Sequence, residues 1–224
     1  MEKDKNKLPE LERRSYLCEV RADGEDEARE ATIIGRPIVF GSRTDLGWFD
    51  EVIETGALDG ADLTDVRFLV NHDTSRIPLA RSRRNNGNST MQLSVDMDGM
   101  SIRVQLDTEN NSEARALYSA VQRGDISGMS FMFSIDEERW EDLRSEHPTR
   151  FITKIGSVVE VSAVTFPAYY STSIDARGKE ALESARSALE SARRQMADPL
   201  DSEANKNELE LLKEKTKFLG GIRK

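Results

Sequence analysis

The chain of 224 residues is long enough for one domain of ordinary size with appended segments, and its 32 basic and 41 acidic side chains give a formal net charge of −9. This acidic balance argues against a nucleic-acid partner, because phosphate binding requires a basic face. No apolar run is long enough for a membrane span, and residues 1–10 lack the apolar core of a secretory signal, so we expect neither. One cysteine, Cys18, cannot form an internal disulfide, and the cytosol is the natural compartment.

The N-terminal half of the chain alternates strand signals with polar turns. Residues 1–14 are polar and charged, and we predict a flexible N-terminus there. Apolar, β-branched and aromatic residues then cluster in three predicted strands, at 16–20, 31–40 and 66–70. Two alternating segments, 91–95 and 101–106, flank Asp98-Gly99 and predict a β-hairpin. The aspartates near this hairpin lack the EF-hand spacing and are explained by turn chemistry, so we expect no metal ion and no cofactor.

The following segment, up to residue 178, predicts a helix and then further strands. Asn110 to Glu113 supply capping residues and a first-turn acid, and Gly124 ends the helix. An apolar strand is predicted from Gly128 to Phe133, and a charged, helix-like insert near 136–147. Two more apolar strands are predicted, at 151–155 and 158–164.

Residues 179–224 differ in composition and contain no strand signal, so we predict a charged helical tail after a domain of residues 15–178. Apolar residues spaced three and four apart form a short heptad seam, at Leu182, Ala185, Leu189, Ala192 and Met196. A seam this short does not make a stable isolated coiled coil. We therefore expect it to dock on the preceding domain, on another copy of the chain, or on a partner.

Three residues that are far apart in the sequence could together carry nucleophilic catalysis. Ser130 stands between Gly128 and an apolar run, in a setting that would hold its hydroxyl rigidly. His72 follows an apolar strand and could be the general base, with a structural histidine as the alternative. Glu160 interrupts a valine-rich strand, where a buried carboxylate needs a partner and could orient His72. The period-2 pattern equally allows Glu160 to lie on a wet face or to pair with an arginine.

These three positions lie in motifs whose combination resembles a known family. The motifs are Asn71-His72-Asp73 after an apolar strand, Gly124 to Phe131 after a capped helix, and Glu160 to Pro167. In this order, over residues 15–175, they resemble the prohead maturation proteases of tailed phages, the HK97 type. The resemblance implies a serine protease of mainly β, α+β class: a closed, mostly antiparallel β-barrel surrounded by helices, like the herpesvirus assembly proteases. It implies His72 as general base, Ser130 as nucleophile and Glu160 as the orienting acid.

The resemblance also implies a biological role. Such a protein would be packaged inside an immature capsid, the prohead, in the host cytoplasm. There it would cut the scaffold-like N-terminal segment of the major capsid protein and degrade itself or other internal proteins. The implied partners are the capsid protein and further copies of the chain, with no nucleic acid and no membrane. The alternative from another class is a non-enzymatic assembly or scaffolding protein, since the acidic charge and the heptad seam fit it equally well.

Several other features bear on these alternatives. The second histidine, His147, lies in a charged loop, where solvation explains it. The segment Gly128 to Phe131 lacks the second glycine of a nucleophile elbow, which argues against an esterase of the α/β-hydrolase type. Backbone N–H groups near Thr165 and Phe166 are the candidate oxyanion donors, because Pro167 has no N–H.

Overall fold

The computed structural model describes residues 11–17, 20–23, 31–165, 183 and 186–196, which form a mostly β structure with two helices. The strands before the first helix are β1 Leu11–Leu17, β2 Arg21–Asp23, β3 Thr32–Val39, β4 Arg43–Asp45, β5 Asp50–Ile53, β6 Asp65–Val70, β7 Ala80–Arg83, β8 Met91–Asp96 and β9 Gly99–Gln105. They are followed by helix α1 Ser112–Gln122, strands β10 Gly128–Glu141 and β11 Thr149–Val164, and a second helix, α2, over residues 186–196. None of the described helices has the length and apolar character that crossing a membrane requires.

The larger sheet is built around the long strand β11. One edge of β11 pairs antiparallel with β10, and β10 pairs in turn with β1. The other edge is shared by two parallel partners: β5 pairs with residues 149–152, and β6 pairs with residues 160–163. Because β11 is long enough to hold both, the sheet branches, with β4 beyond β5 and β7 beyond β6. This arrangement brings the C-terminal ends of β6 and β11 side by side.

The smaller sheet has the strand order β2-β3-β9-β8 and is antiparallel throughout. Strand β3 is irregular where its pairing with β9 shifts between Gly35 and Ile38. Gly99, at the start of β9, has φ +142°, and a Cβ there would meet the carbonyl oxygen of Ile38 at 2.0 Å. A glycine is therefore required for β9 to approach β3 so closely.

One hydrophobic core joins the two sheets and α1. Fully buried side chains come from the smaller sheet, such as Ile33 and Ile102, and from the larger sheet, such as Phe131 and Phe133. Each contributes roughly 1.5–3 kcal/mol to folding relative to an exposed position. The core thus fixes β10, the strand that carries Ser130 on its other face.

The expectation of a closed β-barrel is wrong. The described strands form two open sheets, with β1, β4 and β7 at the edges of one and β2 and β8 at the edges of the other. At the gap between β7 and β8, side-chain hydroxyls replace a backbone ladder: Arg81 N–H donates to Thr90 Oγ1 and Arg83 N–H to Ser89 Oγ, each at 2.9 Å. The N–H groups at this edge of β7 thus donate to the side chains of residues 89 and 90. They do not require backbone hydrogen bonds to β8.

Two further expectations differ from the structure. The helix-like insert expected near 136–147 is wrong in its first part, because β10 continues as a strand to Glu141. Pairing with β11 and the stacking of Arg139 over the ring of Phe151, at 3.8 Å, stabilise this extension. Strand β1 begins at Leu11, before the expected domain boundary at residue 15.

A buried network of charged side chains ties β1 to the larger sheet. Arg14 donates to Glu51 at 2.5 and 2.6 Å and to Glu12 at 2.5 Å. Arg150 donates to Glu12 at 2.8 and 2.9 Å, to Glu51 at 3.2 Å and to Glu138 at 2.7 Å. Burial alone would raise the pKa of Glu12, but the attraction of Arg14 and Arg150 outweighs it and lowers that pKa from 4.5 to about 2. The network holds β1 in place beside β10.

Helix α2 packs on the edge of the larger sheet. Leu189 is buried against Leu46 and Phe49, in a small second hydrophobic cluster. Trp140 completes it, with its ring in edge contact with Phe49 at 4.9 Å between centroids. Arg193 donates to backbone carbonyls of the loop after β10, that of residue 143 at 3.2 Å and that of residue 145 at 2.9 Å. The boundary at Gly178, most of the expected tail 179–224, the first two seam residues and Cys18 lie outside the described residues.

Candidate active site

The three candidate catalytic residues come from three neighbouring strands. Ser130 lies in β10, Glu160 lies in β11, and His72 lies in the turn that follows β6. In the β10–β11 ladder Ser130 is opposite Ser162, and Met132 is opposite Glu160. Since side chains alternate between the two faces of a sheet, Ser130, Ser162 and Glu160 all lie on the same face. The parallel pairing of β6 with the end of β11 then places the turn that carries His72 at this face.

His72 and Glu160 form a direct hydrogen-bonded pair. The Nδ1 atom of His72 contacts Glu160 Oε1 in a short hydrogen bond, and the second carboxylate oxygen accepts the hydroxyl proton of Ser162 at 2.7 Å. Glu160 is only 3% exposed. A buried carboxylate requires such partners, because an unpaired one would lose its hydration without compensation. Glu160 therefore does not lie on a wet face, which was one of the alternatives that the sequence left open.

The turn that carries His72 has an unusual backbone. Asn71 and His72 have φ angles of 52° and 58°, in the left-handed region that few non-glycine residues adopt. Side-chain hydrogen bonds hold this conformation: His72 N–H donates to Ser162 Oγ at 3.1 Å, and Asn71 Oδ1 accepts the N–H of Thr165 at 3.0 Å. The orientation of the imidazole is thus fixed by two hydrogen bonds, one from its ring to Glu160 and one from the His72 N–H to Ser162. A strained turn that is held by several hydrogen bonds is typical of functional sites.

Ser130 is fully buried and its hydroxyl group is engaged by β1. It donates to the backbone carbonyl of Arg14 at 2.8 Å and accepts from Ser15 Oγ at 2.8 Å. Among the described residues no hydrogen bond joins Ser130 to His72. The structure therefore brings His72 and Glu160 into contact and places Ser130 on the same sheet face, with its hydroxyl hydrogen bonded to the carbonyl of Arg14.

The other candidate groups have different surroundings. His147 Nε2 lies 3.1 Å from Asp50 Oδ1, at the opposite end of β11, and its side chain is 42% exposed. Burial opposes ionisation of Asp50, but hydrogen bonds from Arg43 and His147 outweigh this and lower its pKa. Asp73 accepts from the N–H and the hydroxyl of Ser75, at 3.1 and 2.5 Å, in a local turn. The N–H of Thr165, a candidate oxyanion donor, already donates to a side chain.

Sequence reasoning missed Ser162, which contacts both His72 and Glu160. Its signal was present, since the period-2 pattern places residues 160 and 162 on the same face of a strand. The contacts that Ser130 makes with β1 gave no such signal, because Ser15 is 115 residues away in the chain. The polar character of Ser15 and Ser130 does not identify the strands that pair.

Comparison with known proteins assigns this chain to a family. The family described as Caudovirus prohead serine protease matches residues 17–186, which is more than half of the chain. Among solved structures, the chain is similar to the capsid assembly protease gp21 of bacteriophage T4. The two share 12% identity, with a TM-score of 0.43, over 72% of this chain and 100% of that one, which is too distant to carry an argument. No curated protein sequence matches. The chain therefore belongs to the caudovirus prohead serine protease family, serine peptidases that act in capsid maturation inside the bacteriophage prohead.

Proposed function

We propose that this protein is a serine endopeptidase that cuts the scaffold-like N-terminal segment of the major capsid protein, and also itself, during capsid maturation. The observation that carries the proposal is the His72–Glu160 pair, held on the same sheet face as Ser130. Ser162 joins these groups, because it lies opposite Ser130 and contacts both members of the pair. A scaffolding protein would have no need for a buried carboxylate that orients an imidazole beside a buried serine.

In the proposed mechanism the hydroxyl of Ser130 attacks the scissile carbonyl carbon. His72 Nε2 accepts the hydroxyl proton as the new C–O bond forms, and later donates it to the leaving amine. Glu160 accepts from Nδ1–H, which fixes the tautomer and stabilises the imidazolium. Water then attacks the acyl-enzyme with His72 again as general base, which releases the second product and restores Ser130.

The proposed mechanism requires a change at Ser130. Its hydroxyl donates to the carbonyl of Arg14, so this hydrogen bond must break before the proton can pass to His72. Catalytic hydrogen bonds are often loose in free enzymes and form only with substrate bound, so this geometry is compatible with the proposed roles. A protease that is held in this state until substrate is present would be protected from premature self-cleavage.

We further propose that residues 179–224 bind the capsid-protein scaffold segment or a second copy of the protease, and that they are removable. The heptad seam supports this proposal, although α2, which contains its last three residues, packs on the protein's own sheet edge through Leu189. A chain truncated after Gly178 should enter proheads less efficiently than the full-length chain. Equal packaging of the two would contradict this role for the tail.

The experiment that tests the proposed activity is intact-mass measurement after incubation at high concentration. Wild type should become shorter, and Ser130→Ala should remain at full length. Ser134→Ala is the matched control, since Ser134 is also a buried serine on β10 and its hydroxyl lies 2.9 Å from Ser157. Cleavage that persists in purified Ser130→Ala would exclude Ser130 as the nucleophile. If wild type also stays intact, cleavage inside assembled proheads decides between a capsid-activated protease and a scaffolding protein.

A further inference from the structure

A cavity of about 460 Å³ lies between α1 and the turn region of residues 71–79. Most of the side chains that line it are apolar, including Leu69, Leu117, Ala120 and Ile126. This volume is within the range of pockets that bind small ligands, and it can hold one large amino-acid side chain. The cavity is partly open to solvent, so a side chain could enter it from outside.

The cavity is lined by residues that neighbour two of the proposed catalytic residues in the chain. Val70 and Asn71, which line it, are the two residues directly before His72. Ile126, on another wall, lies in the segment that leads into β10 and Ser130. A peptide that extends from the scissile bond around the end of β6 could therefore place a neighbouring side chain in this cavity.

We propose that the cavity binds an apolar side chain of the substrate peptide, close to the scissile bond, and so determines which sequences are cut. This inference rests on the proposed function. The occupant is a residue such as leucine, isoleucine, methionine or phenylalanine. The cavity thus acts as a specificity pocket whose walls are α1 and the turn after β6.

The charges around the cavity favour an apolar occupant over an ionised one. Arg76 lies at the rim, where it is hydrogen bonded to Glu113 and lies 3.6 Å from the carboxylate of Asp73. This guanidinium is already paired with two carboxylates, so it offers little to an anionic side chain. An ionised side chain that reached the apolar floor would lose its hydration, because the charged groups of the cavity already pair with one another at the rim.

Ile77 gives a second indication of an apolar occupant. It lines the cavity and is nevertheless 85% exposed, the largest exposed fraction among the exposed large hydrophobic side chains of the described residues. An apolar substrate side chain would remove part of Ile77 from water, which is favourable in proportion to the buried area. Neighbouring Leu79 would extend the same apolar contact.

The first test is cleavage-site profiling with a synthetic random-sequence peptide library, using Ser130→Ala to define the background. Wild type should prefer large apolar residues at one position next to the scissile bond. Ala116→Phe fills the cavity from an exposed helix position, and should lower kcat/KM for those peptides relative to peptides with alanine there by about tenfold or more. Gln122→Phe, exposed on the same helix outside the cavity, is the matched control and should keep the wild-type preference.

A second variant guards against misfolding of the first. Ile77→Ala widens the mouth at an exposed position and should weaken the preference for large apolar residues severalfold. Met97→Ala, at another exposed position that does not line the cavity, should leave the preference unchanged. Cleavage that depends on Ser130 but keeps the same preference in Ala116→Phe and Ile77→Ala would overturn the inference while leaving the proposed function intact.

A binding measurement separates the inference from catalysis. In methyl NMR of the Ser130→Ala protein, N-acetyl-leucinamide should shift the methyl resonances of Ile77 and Ile126, whereas N-acetyl-lysinamide should not. The methyls of Ile33, which is fully buried elsewhere in the core, serve as the internal control. Such shifts without any Ser130-dependent cleavage, either in solution or inside assembled proheads, would overturn the proposed function and retain the apolar pocket. Absence of these shifts would overturn the inference. Resonances of the cavity methyls that change on dilution would overturn it as well, because they would show that a second copy of the chain fills the cavity.

Discussion

Ser162 lies directly opposite Ser130 on the neighbouring antiparallel strand, and its hydroxyl links the backbone of His72 to the carboxylate of Glu160. One buried hydroxyl therefore accepts from the N–H of the proposed base at 3.1 Å and donates to the proposed acid at 2.7 Å. Removing it would leave the His72 N–H and one oxygen of Glu160 without these partners. Ser162 thus has the contacts of a residue that positions the pair rather than one that reacts.

Replacing Ser162 by alanine should lower kcat by about 10- to 100-fold and leave KM nearly unchanged, because a misplaced base affects the chemical step more than substrate binding. Ser157→Ala, on the same strand, is the control for loss of a serine hydroxyl from β11. The kcat and KM values of both variants are measured on a peptide identified in the library. A rise in KM alone would contradict a positioning role. Complete loss in Ser162→Ala together with activity in Ser130→Ala would make Ser162 the nucleophile.

Replacing Glu160 by glutamine should reduce kcat less than replacing His72 by alanine, because an orienting acid generally contributes less than the base itself. Glutamine keeps the shape of the side chain but cannot stabilise an imidazolium. The rates of both variants are compared with that of Asp73→Asn, which should keep more of the wild-type kcat than Glu160→Gln, since Asp73 forms a local turn with Ser75 and lies beside Arg76. Equal losses in Glu160→Gln and His72→Ala, or a large loss in Asp73→Asn, would transfer the orienting role to another acid.

Local sequence patterns predict part of the site and part of the secondary structure. The motifs around His72, Ser130 and Glu160 are each short local patterns, and the structure places His72 and Glu160 in contact. The catalytic roles of the three residues stay a prediction. Helix α1 could also be predicted from the sequence, because its cap and its apolar face are encoded within one short segment. Secondary structure was misjudged at 136–141, where pairing with β11 overrides a charged, helix-like composition.

The non-local features could not be predicted. The network that joins Glu12 to Arg150 connects residues 138 positions apart, and nothing in either segment identifies the other. The open sheets likewise depend on how β11 divides one edge between β5 and β6, and on the hydroxyls that satisfy β7. Such features follow from the packing of distant segments, whereas local patterns specify only the segments themselves.

Replacing Leu189 by alanine should weaken the docking of α2, because its side chain is buried against Leu46 and Phe49. A Leu→Ala change at a buried site costs about 2–5 kcal/mol, and at this small cluster we expect the lower end. The readout is fluorescence of Trp140 in a Trp48→Phe background, together with the rate of proteolysis within α2. Ser191→Ala, an exposed change on the same helix, should alter neither. Unchanged fluorescence and proteolysis in Leu189→Ala would show that the docking of α2 does not depend on this contact.

Replacing Glu12 by glutamine should destabilise the protein in a pH-dependent manner. The pKa of Glu12 is lowered from 4.5 to about 2 in the folded state, so its stabilising contribution is fully present above pH 4.5 and is lost as the pH falls toward 2. This difference in pKa corresponds to about 3 kcal/mol in the free energy of unfolding near neutral pH. Urea denaturation of wild type and Glu12→Gln at several pH values between 7 and 3 measures the gap between them.

The gap between wild type and Glu12→Gln should be widest at neutral pH and should narrow on acidification, because a protonated Glu12 resembles glutamine. Glu109→Gln, which changes an exposed carboxylate, is the control and should produce no such gap. Because β1 also holds the hydroxyl of Ser130 through the Arg14 carbonyl, local opening of β1 should increase as the network weakens. Hydrogen exchange of the β1 amides in Glu12→Gln would reveal this opening. A gap that is the same at every pH would mean that Glu12 contributes through packing rather than through its charge.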